Sequence, residues 1–516
     1  MRGAGAASFR GPEKREGGFR GKIDRICLVS RPMSFSSSFP VRLPGLLRAV
    51  LGVIVCQAAV ASAAPTVHAV VDLGHEFSFY ADGRFQRQYL SGQGGATSWG
   101  ALSHYDFANA NLLVLLACDD HLAYTPEDRT TIQGLLDSGG GVVLLGSRGD
   151  KGQSALAAAY GCEFAGPARK PLKAAAAPVS GEIEGGGETL KLAEPKDWEV
   201  LVADQAGAPV LARKKIGKGI LLVGARGLAG SRPDARDNIN AAWWTPLLES
   251  AAAGKAIDPA KPLRSRGLGD LEHTEQIGRL TLHYSDYLKP YAARMAAIYQ
   301  RCVPVIEKRM GVPLSEGMAS HIGLLATGGG GFSSGQMLGL AVFWGGFPDR
   351  EDSMIEFVTH ESTHSWVLPY PEIWNEPIAT YVGDLVMADM GFPEEGLRRI
   401  NATIERARKI DPTFKAYDLD GKSANGAPEL KGGQANDIHW GKSFWVFEEL
   451  RKQDPDFLSR YFQAKRRLLK AGSIPRYDAS TTVAVLGKAL GRDLFPWFKE
   501  HGFAVEAARS ALPPGT

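Results

Sequence analysis

Five consecutive residues, His360-Glu361-Ser362-Thr363-His364, carry the clearest chemistry in the chain. They lie within DSMIEFVTHESTHSWV, Asp352 to Val367, where Met354, Ile355, Phe357 and Val358 form an apolar face that predicts a helix. On a helix, side chains four apart stack on one face. Two imidazoles then point at one metal ion, with Glu361 beside them. Eleven residues separate His364 from Glu376, which lies in the run Trp374-Asn375-Glu376-Pro377-Ile378-Ala379-Thr380-Tyr381. Two neutral imidazoles and a carboxylate, with a position left for water, are the donors of a catalytic zinc site; a closed structural site takes four protein ligands, usually including Cys. This pattern predicts His360, His364 and Glu376 as ligands of one zinc ion per chain, with Glu361 as general base. The plainer alternative is two helix imidazoles with an unrelated carboxylate nearby.

The elements that must position these residues fall in the second part of a long chain. At 516 residues it has room for two or three domains. The expected division is an N-terminal extension and signal peptide (1–63), an α/β domain (64–250), a linker rich in Ala, Pro, Lys, Arg and Gly (251–270) and a mainly α (α+β) domain with the metal motif (271–510). In the α/β part, Val67–Leu73, Asn111–Cys118 and Val142–Leu145 read as apolar strands buried on both faces, as in a parallel sheet. Between them Thr125 caps a helix, Pro126 takes its first turn, and Glu127 and Asp128 favour its positive end. In the second part the expectations are a long helix over Glu275–Met310, strands over Ser320–Ala326 and Met337–Trp344, a Gly-rich loop over Thr327–Gly331, and further helices to the end.

Composition narrows the class. A net charge of +3, close to neutral for this length, gives no sign of the concentrated basic face that nucleic acid requires, so no nucleic-acid partner is expected. Arg42 and Arg48 precede the apolar run Ala49 to Val60, and Ala61-Ser62-Ala63 is a small-residue cleavage site. The expectation is a secreted or periplasmic protein with no stable membrane span after cleavage. Cleavage removes Cys27 and Cys56 and leaves Cys118, Cys162 and Cys302, too few for a disulfide framework.

On HExxH and the downstream Glu376, the second domain resembles the gluzincin metallopeptidases over roughly residues 270–505. One branch of the resemblance is the enhancin-like, mucin-directed peptidases; the other is the gluzincin aminopeptidases, whose signature continues much as Asn375-Glu376-Pro377-Ile378-Ala379-Thr380-Tyr381 does. The resemblance implies a protein, peptide or glycoprotein substrate. Departures from the aminopeptidase pattern are informative. The spacing from His364 to Glu376 is shorter. The segment Gly335-Gln336-Met337-Leu338-Gly339 lacks the Glu that would read a free amino terminus, which favours an endopeptidase. Trp440 stands near the position of the aminopeptidases' transition-state Tyr. His439 and Tyr381 are therefore alternative oxyanion donors. The α/β domain resembles the class I glutamine-amidotransferase-like (flavodoxin-like) fold, but Gly146-Ser147-Arg148-Gly149 offers no nucleophilic Cys, so a non-catalytic role is expected. Competing readings are a non-catalytic peptide- or glycan-binding protein with a relic peptidase domain, and an aminopeptidase.

Overall fold

Continuous apolar runs, buried on both faces, organise the first sheet. In the computed structural model, which describes residues 66–510 apart from 76–84, 86–88, 91–92, 117–120, 230–238, 315–319, 335–336, 368–373, 425 and 472–476, strands β1 (His68–Asp72), β2 (Gly94–Ser98) and β3 (Leu112–Leu115) lead to helix α1 (Pro126–Asp137) and strand β4 (Gly141–Gly146). Val70, Leu113 and Leu115 face one core with α1, while Ala69, Val71, Leu112 and Val114 face the other, so β1 and β3 are buried on both sides. Thr125 and Asp128 close a reciprocal capping box at the start of α1, with bonds of 3.1 and 2.9 Å.

Helix α2 (Lys151–Ala159) and strands β5 (Cys162–Pro167), β6 (Lys173–Ala174), β7 (Glu188–Leu192), β8 (Trp198–Ala203), β9 (Pro209–Ile216) and β10 (Gly219–Ala225) follow, then helix α3 (Ala241–Ala252). The eight-stranded sheet has the order β2-β1-β3-β4-β10-β9-β8-β6. Its first five strands are mutually parallel; β10, β9, β8 and β6 pair antiparallel. The expected all-parallel sheet is therefore corrected to a mixed one. The cause is local: Gly217, with φ +56°, turns β9 directly back into β10, leaving no room for a crossover helix.

The linker expectation is also corrected. Residues 251 and 252 end α3. Farther on, Arg266 bridges Ser98, and its backbone bonds Thr97 and Trp99 at 2.8 and 3.1 Å, extending the β2 edge. The segment is thus a sheet-bound strap, and the described residues belong to one compact unit, Ser62–Thr516.

A third correction concerns Glu275–Met310. Its first part is a hairpin of β11 (His273–Ile277) and β12 (Leu280–Tyr284), turned at Gly278 with φ +61°, and helix α4 covers only Lys289–Met310. Thr274, Gln276 and Thr281 alternate with Ile277, Leu280 and Leu282, the period of a strand. Strands β13 (His321–Leu325), β14 (Phe332–Ser333) and β15 (Met337–Ala341) complete a five-stranded sheet of order β11-β12-β13-β15-β14.

Among the described residues seven helices follow: α5 (Glu351–Val367), α6 (Asn375–Asp389), α7 (Pro393–Arg408), α8 (Gln434–Gln453), α9 (Phe457–Lys470), α10 (Ala479–Leu490) and α11 (Phe495–Glu500). No helix among the described residues is long and apolar enough to cross a membrane. The expected signal peptide and Cys118 lie outside the described residues; Cys162 and Cys302 are buried free thiols.

Candidate metal centre

Helix α5 is buried from Ser353 to Val367. A helix buried all round needs no polar stripe. Met354, Ile355, Phe357 and Val358 are at most 3% exposed, and each contributes about 1.5–3 kcal/mol through burial. Two of its hydroxyls bond within the helix: Ser362 donates to Val358 O at 2.6 Å and Thr363 to Thr359 O at 2.8 Å. The buried Lys465 ammonium of α9 donates to Val367 O at 2.7 Å and completes the negative end of the helix.

Among the described residues, His360, Glu361 and His364 form a buried group whose ligand atoms lie within 4.8 Å of one another. Glu376 joins them from the first turn of α6. Its Oε2 is 3.4 Å from His360 Nε2, and its Oε1 is 3.6 Å from His364 Nε2. The two imidazole rings stand 5.0 Å apart and nearly perpendicular, at 84°.

The remaining ring nitrogens are oriented by α6. His364 Nδ1 donates to Asn375 Oδ1 at 3.1 Å, while Asn375 Nδ2 reaches Glu376 Oε1 at 3.5 Å. Asn375 thus fixes one imidazole and touches the carboxylate. His360 Nδ1 lies 2.9 Å from Thr380 Oγ1. With its proton on Nδ1, His364 turns the Nε2 lone pair toward a carboxylate oxygen, an arrangement that repels unless a cation lies between them.

The distances permit a direct test of fit. Two donors each about 2.1 Å from one tetrahedral ion stand roughly 3.4 Å apart. The observed 3.4 and 3.6 Å agree, and both exceed an ordinary hydrogen bond. Two nitrogens, one carboxylate and anchored outer nitrogens are a donor set suited to zinc.

Glu361 is 6% exposed and packs under the Gly-rich loop. A methyl group added at Gly331 would stand 3.0 Å from Glu361 Cδ and 2.4 Å from Gly339 O. Gly331 therefore permits a close approach of loop, strand and carboxylate that no other residue allows.

The two residues expected as oxyanion donors are placed elsewhere. Tyr381 is fully buried, and its hydroxyl donates to Glu448 Oε1 at 2.6 Å. Burial, and then the Glu448 charge, push its pKa well up. The earlier expectation for Tyr381 is corrected: on α6, five residues beyond Glu376, it faces α8, whereas Thr380, four beyond, faces the imidazoles. His439 Nδ1 bonds Leu419 O at 3.1 Å, and among the described residues no hydrogen bond or ring contact links it to the cluster. The strand expected over Met337–Trp344 is shorter than read from the sequence. β15 ends at Ala341, and β14 already pairs with it at Leu338 and Gly339. Thr380 is not evident from the sequence reading, although the spacing of four between Glu376 and Thr380 was the available signal.

The sequence matches no protein-family model and no curated protein. Solved structures resemble parts of the chain. The mmIFT52 N-terminal domain is 14% identical, with 36% of this chain and 97% of that chain covered, at a TM-score of 0.30. Yeast LTA4 hydrolase in complex with bestatin is 15% identical, covering 44% and 37%, also at 0.30. An exo-β-1,4-mannosidase from an Opitutaceae bacterium is 15% identical, covering 38% and 37%, at 0.27. Hydrolytic enzymes thus stand among the structures similar to parts of this chain, which itself combines a partly parallel α/β sheet with a helical region.

Proposed function

We propose that this chain is a zinc-dependent hydrolase of peptide bonds in proteins or glycoproteins, of the gluzincin type. The observation that carries the reading is the convergence of His360 Nε2 and His364 Nε2 on the Glu376 carboxylate at 3.4 and 3.6 Å, with Glu361 buried alongside. His360, His364 and Glu376 hold the ion, and Thr380 and Asn375 orient the imidazoles. Zinc bound there supplies Lewis acidity to water and to the scissile carbonyl. Glu361 accepts a proton from the attacking water at its carboxylate and returns it to the leaving amine nitrogen. Its closeness to Gly331 keeps that carboxylate in a dry, fixed position.

In this reading the first part of the chain is an amidotransferase-like α/β domain without catalytic chemistry. The likeness to the enhancin-like and aminopeptidase branches and a secreted or periplasmic location belong to the same proposal.

The test is zinc per chain in the purified protein, beside His364→Ala and Glu361→Gln. The expected result is about one zinc in the native protein and in Glu361→Gln, and none in His364→Ala. Hydrolysis of an internally quenched peptide should fall by at least ~100-fold in Glu361→Gln. Metal in His364→Ala, or full activity in Glu361→Gln, would overturn the proposal. Absence of metal from every form would favour a peptide- or glycan-binding protein.

A further inference from the structure

A second imidazole and carboxylate cluster lies far along the chain from the metal centre. Asp72 ends β1, and His75 follows three residues later, fully buried. His75 Nδ1 is 2.7 Å from Asp72 Oδ2. Its Nε2 lies 3.3 Å from Asp128 Oδ2, an ion-pair contact without hydrogen-bond alignment. Asp128, in the first turn of α1, is also fully buried.

The fourth member comes from the other half of the molecule. Tyr287 belongs to the 3-10 turn between β12 and α4. Its hydroxyl donates to Asp128 Oδ1 at 2.6 Å and accepts from Leu102 N at 2.9 Å. Its ring packs on His75 at 4.3 Å, opposite Tyr124 at 4.0 Å. Gly74 makes room for it: a methyl there would lie 3.2 Å from the Tyr287 ring and 2.5 Å from Gly100 O. The cluster occupies the carboxyl end of β1, between strands whose connections run in opposite directions, a position where open α/β sheets commonly bind ligands. Here the second half of the chain fills it.

We propose that Asp72, His75, Asp128 and Tyr287 form a pH-dependent latch that holds the eight-stranded sheet against the half of the chain that carries the metal centre. Two carboxylates face one imidazole in a dry interior. Protonated, the ring offers an N–H to each side and neutralises one charge. Deprotonated, it leaves Asp72 and Asp128 opposed across a neutral ring, an uncompensated buried charge. The groups facing His75 among the described residues are Asp72 of β1, Asp128 of α1, Tyr124 ahead of α1 and Tyr287 ahead of α4. The neighbouring charged pair is Arg266–Glu272, at 2.6 Å, whose Glu272 Oε1 accepts from Ala101 N at 3.0 Å. Burial alone lowers the His75 pKa, but Asp72 and Asp128 outweigh it and raise it to about 9. A raised folded-state value means that the latch is strongest below about pH 6.5 and weakens as pH rises toward 9.

The experiment is thermal unfolding of the full chain from pH 6 to 9.5, for the native protein, His75→Gln and Tyr287→Phe. A chelator is present throughout, so that the result stands apart from the metal reading. Between pH 6.5 and 9 the native Tm should fall by roughly 3–6 °C relative to His75→Gln. Tyr287→Phe should lower Tm at every pH while keeping that slope. Because His75→Gln can fail to fold, the His75 ring protons of the native protein are also titrated by NMR, with an expected midpoint near 9. A midpoint near 6.5, parallel native and His75→Gln curves, or an unchanged Tm in Tyr287→Phe would overturn the latch.

Discussion

Two buried clusters in this molecule use the same side-chain types to different ends. Between β1 and α1, one imidazole stands 2.7 Å from the Asp72 carboxylate and 3.3 Å from that of Asp128, and a proton bridges the shorter distance. Between α5 and α6, two imidazoles stand 3.4 and 3.6 Å from a shared carboxylate, longer than an ordinary hydrogen bond and suited to a metal ion between them. The outer nitrogens differ in the same sense. His75 presents both nitrogens to carboxylates, which favours the charged ring. His360 and His364 present Nδ1 to the neutral Thr380 and Asn375, which favours the neutral, ligating ring. The second partner of each ring, more than distance, tells a proton site from a cation site.

The comparison can be broken most sharply by chelation. Removing metal should destabilise the native protein by up to ~4 kcal/mol when free metal had exceeded its Kd a thousandfold. It should leave His364→Ala unchanged, as read by thermal unfolding. An equal response in both proteins would mean that the 3.4–3.6 Å cluster binds no ion. Next in size, Thr380→Val removes the partner of His360 Nδ1 at nearly constant volume. Zinc affinity, measured by competition with a chromophoric chelator, should weaken ~10–100-fold, and Thr380→Ser should restore it.

Gly331→Ala separates positioning of the base from metal binding. The added methyl must displace either the loop or Glu361. The expected outcome is about a 10–100-fold loss of kcat/KM with one zinc retained; loss of zinc would place the loop's role in the ligands instead. The smallest catalytic effect belongs to Tyr381→Phe. Since its hydroxyl serves Glu448, stability should drop by ~1–3 kcal/mol. The kcat/KM of folded protein should stay within about twofold of native. A large loss of kcat with native zinc would return Tyr381 to the chemistry.

Local signals were legible wherever neighbours in sequence are also neighbours in space. The spacing of four in His360 and His364 holds on any helix. The Thr125–Asp128 box closes within one turn. The apolar runs of β1, β3 and β4 needed only burial on both faces. Errors arose where a short polar turn competed with a longer pattern. Gly278 broke the supposed helix from Glu275, and the Ala- and Pro-rich strap was paired to a sheet edge that only the folded chain supplies.

By itself the sequence determined the helix that brings His360, Glu361 and His364 together and the apolar runs that bury the first sheet, because these depend on the pattern of residues along one element. Tertiary structure alone decided which face of α6 meets α5, and so whether Thr380 or Tyr381 serves the imidazoles. It alone also brought Tyr287 to Asp128 across 159 positions of sequence. Such contacts are chosen by the packing of whole elements, and one residue's shift around a helix turns a side chain by about 100°.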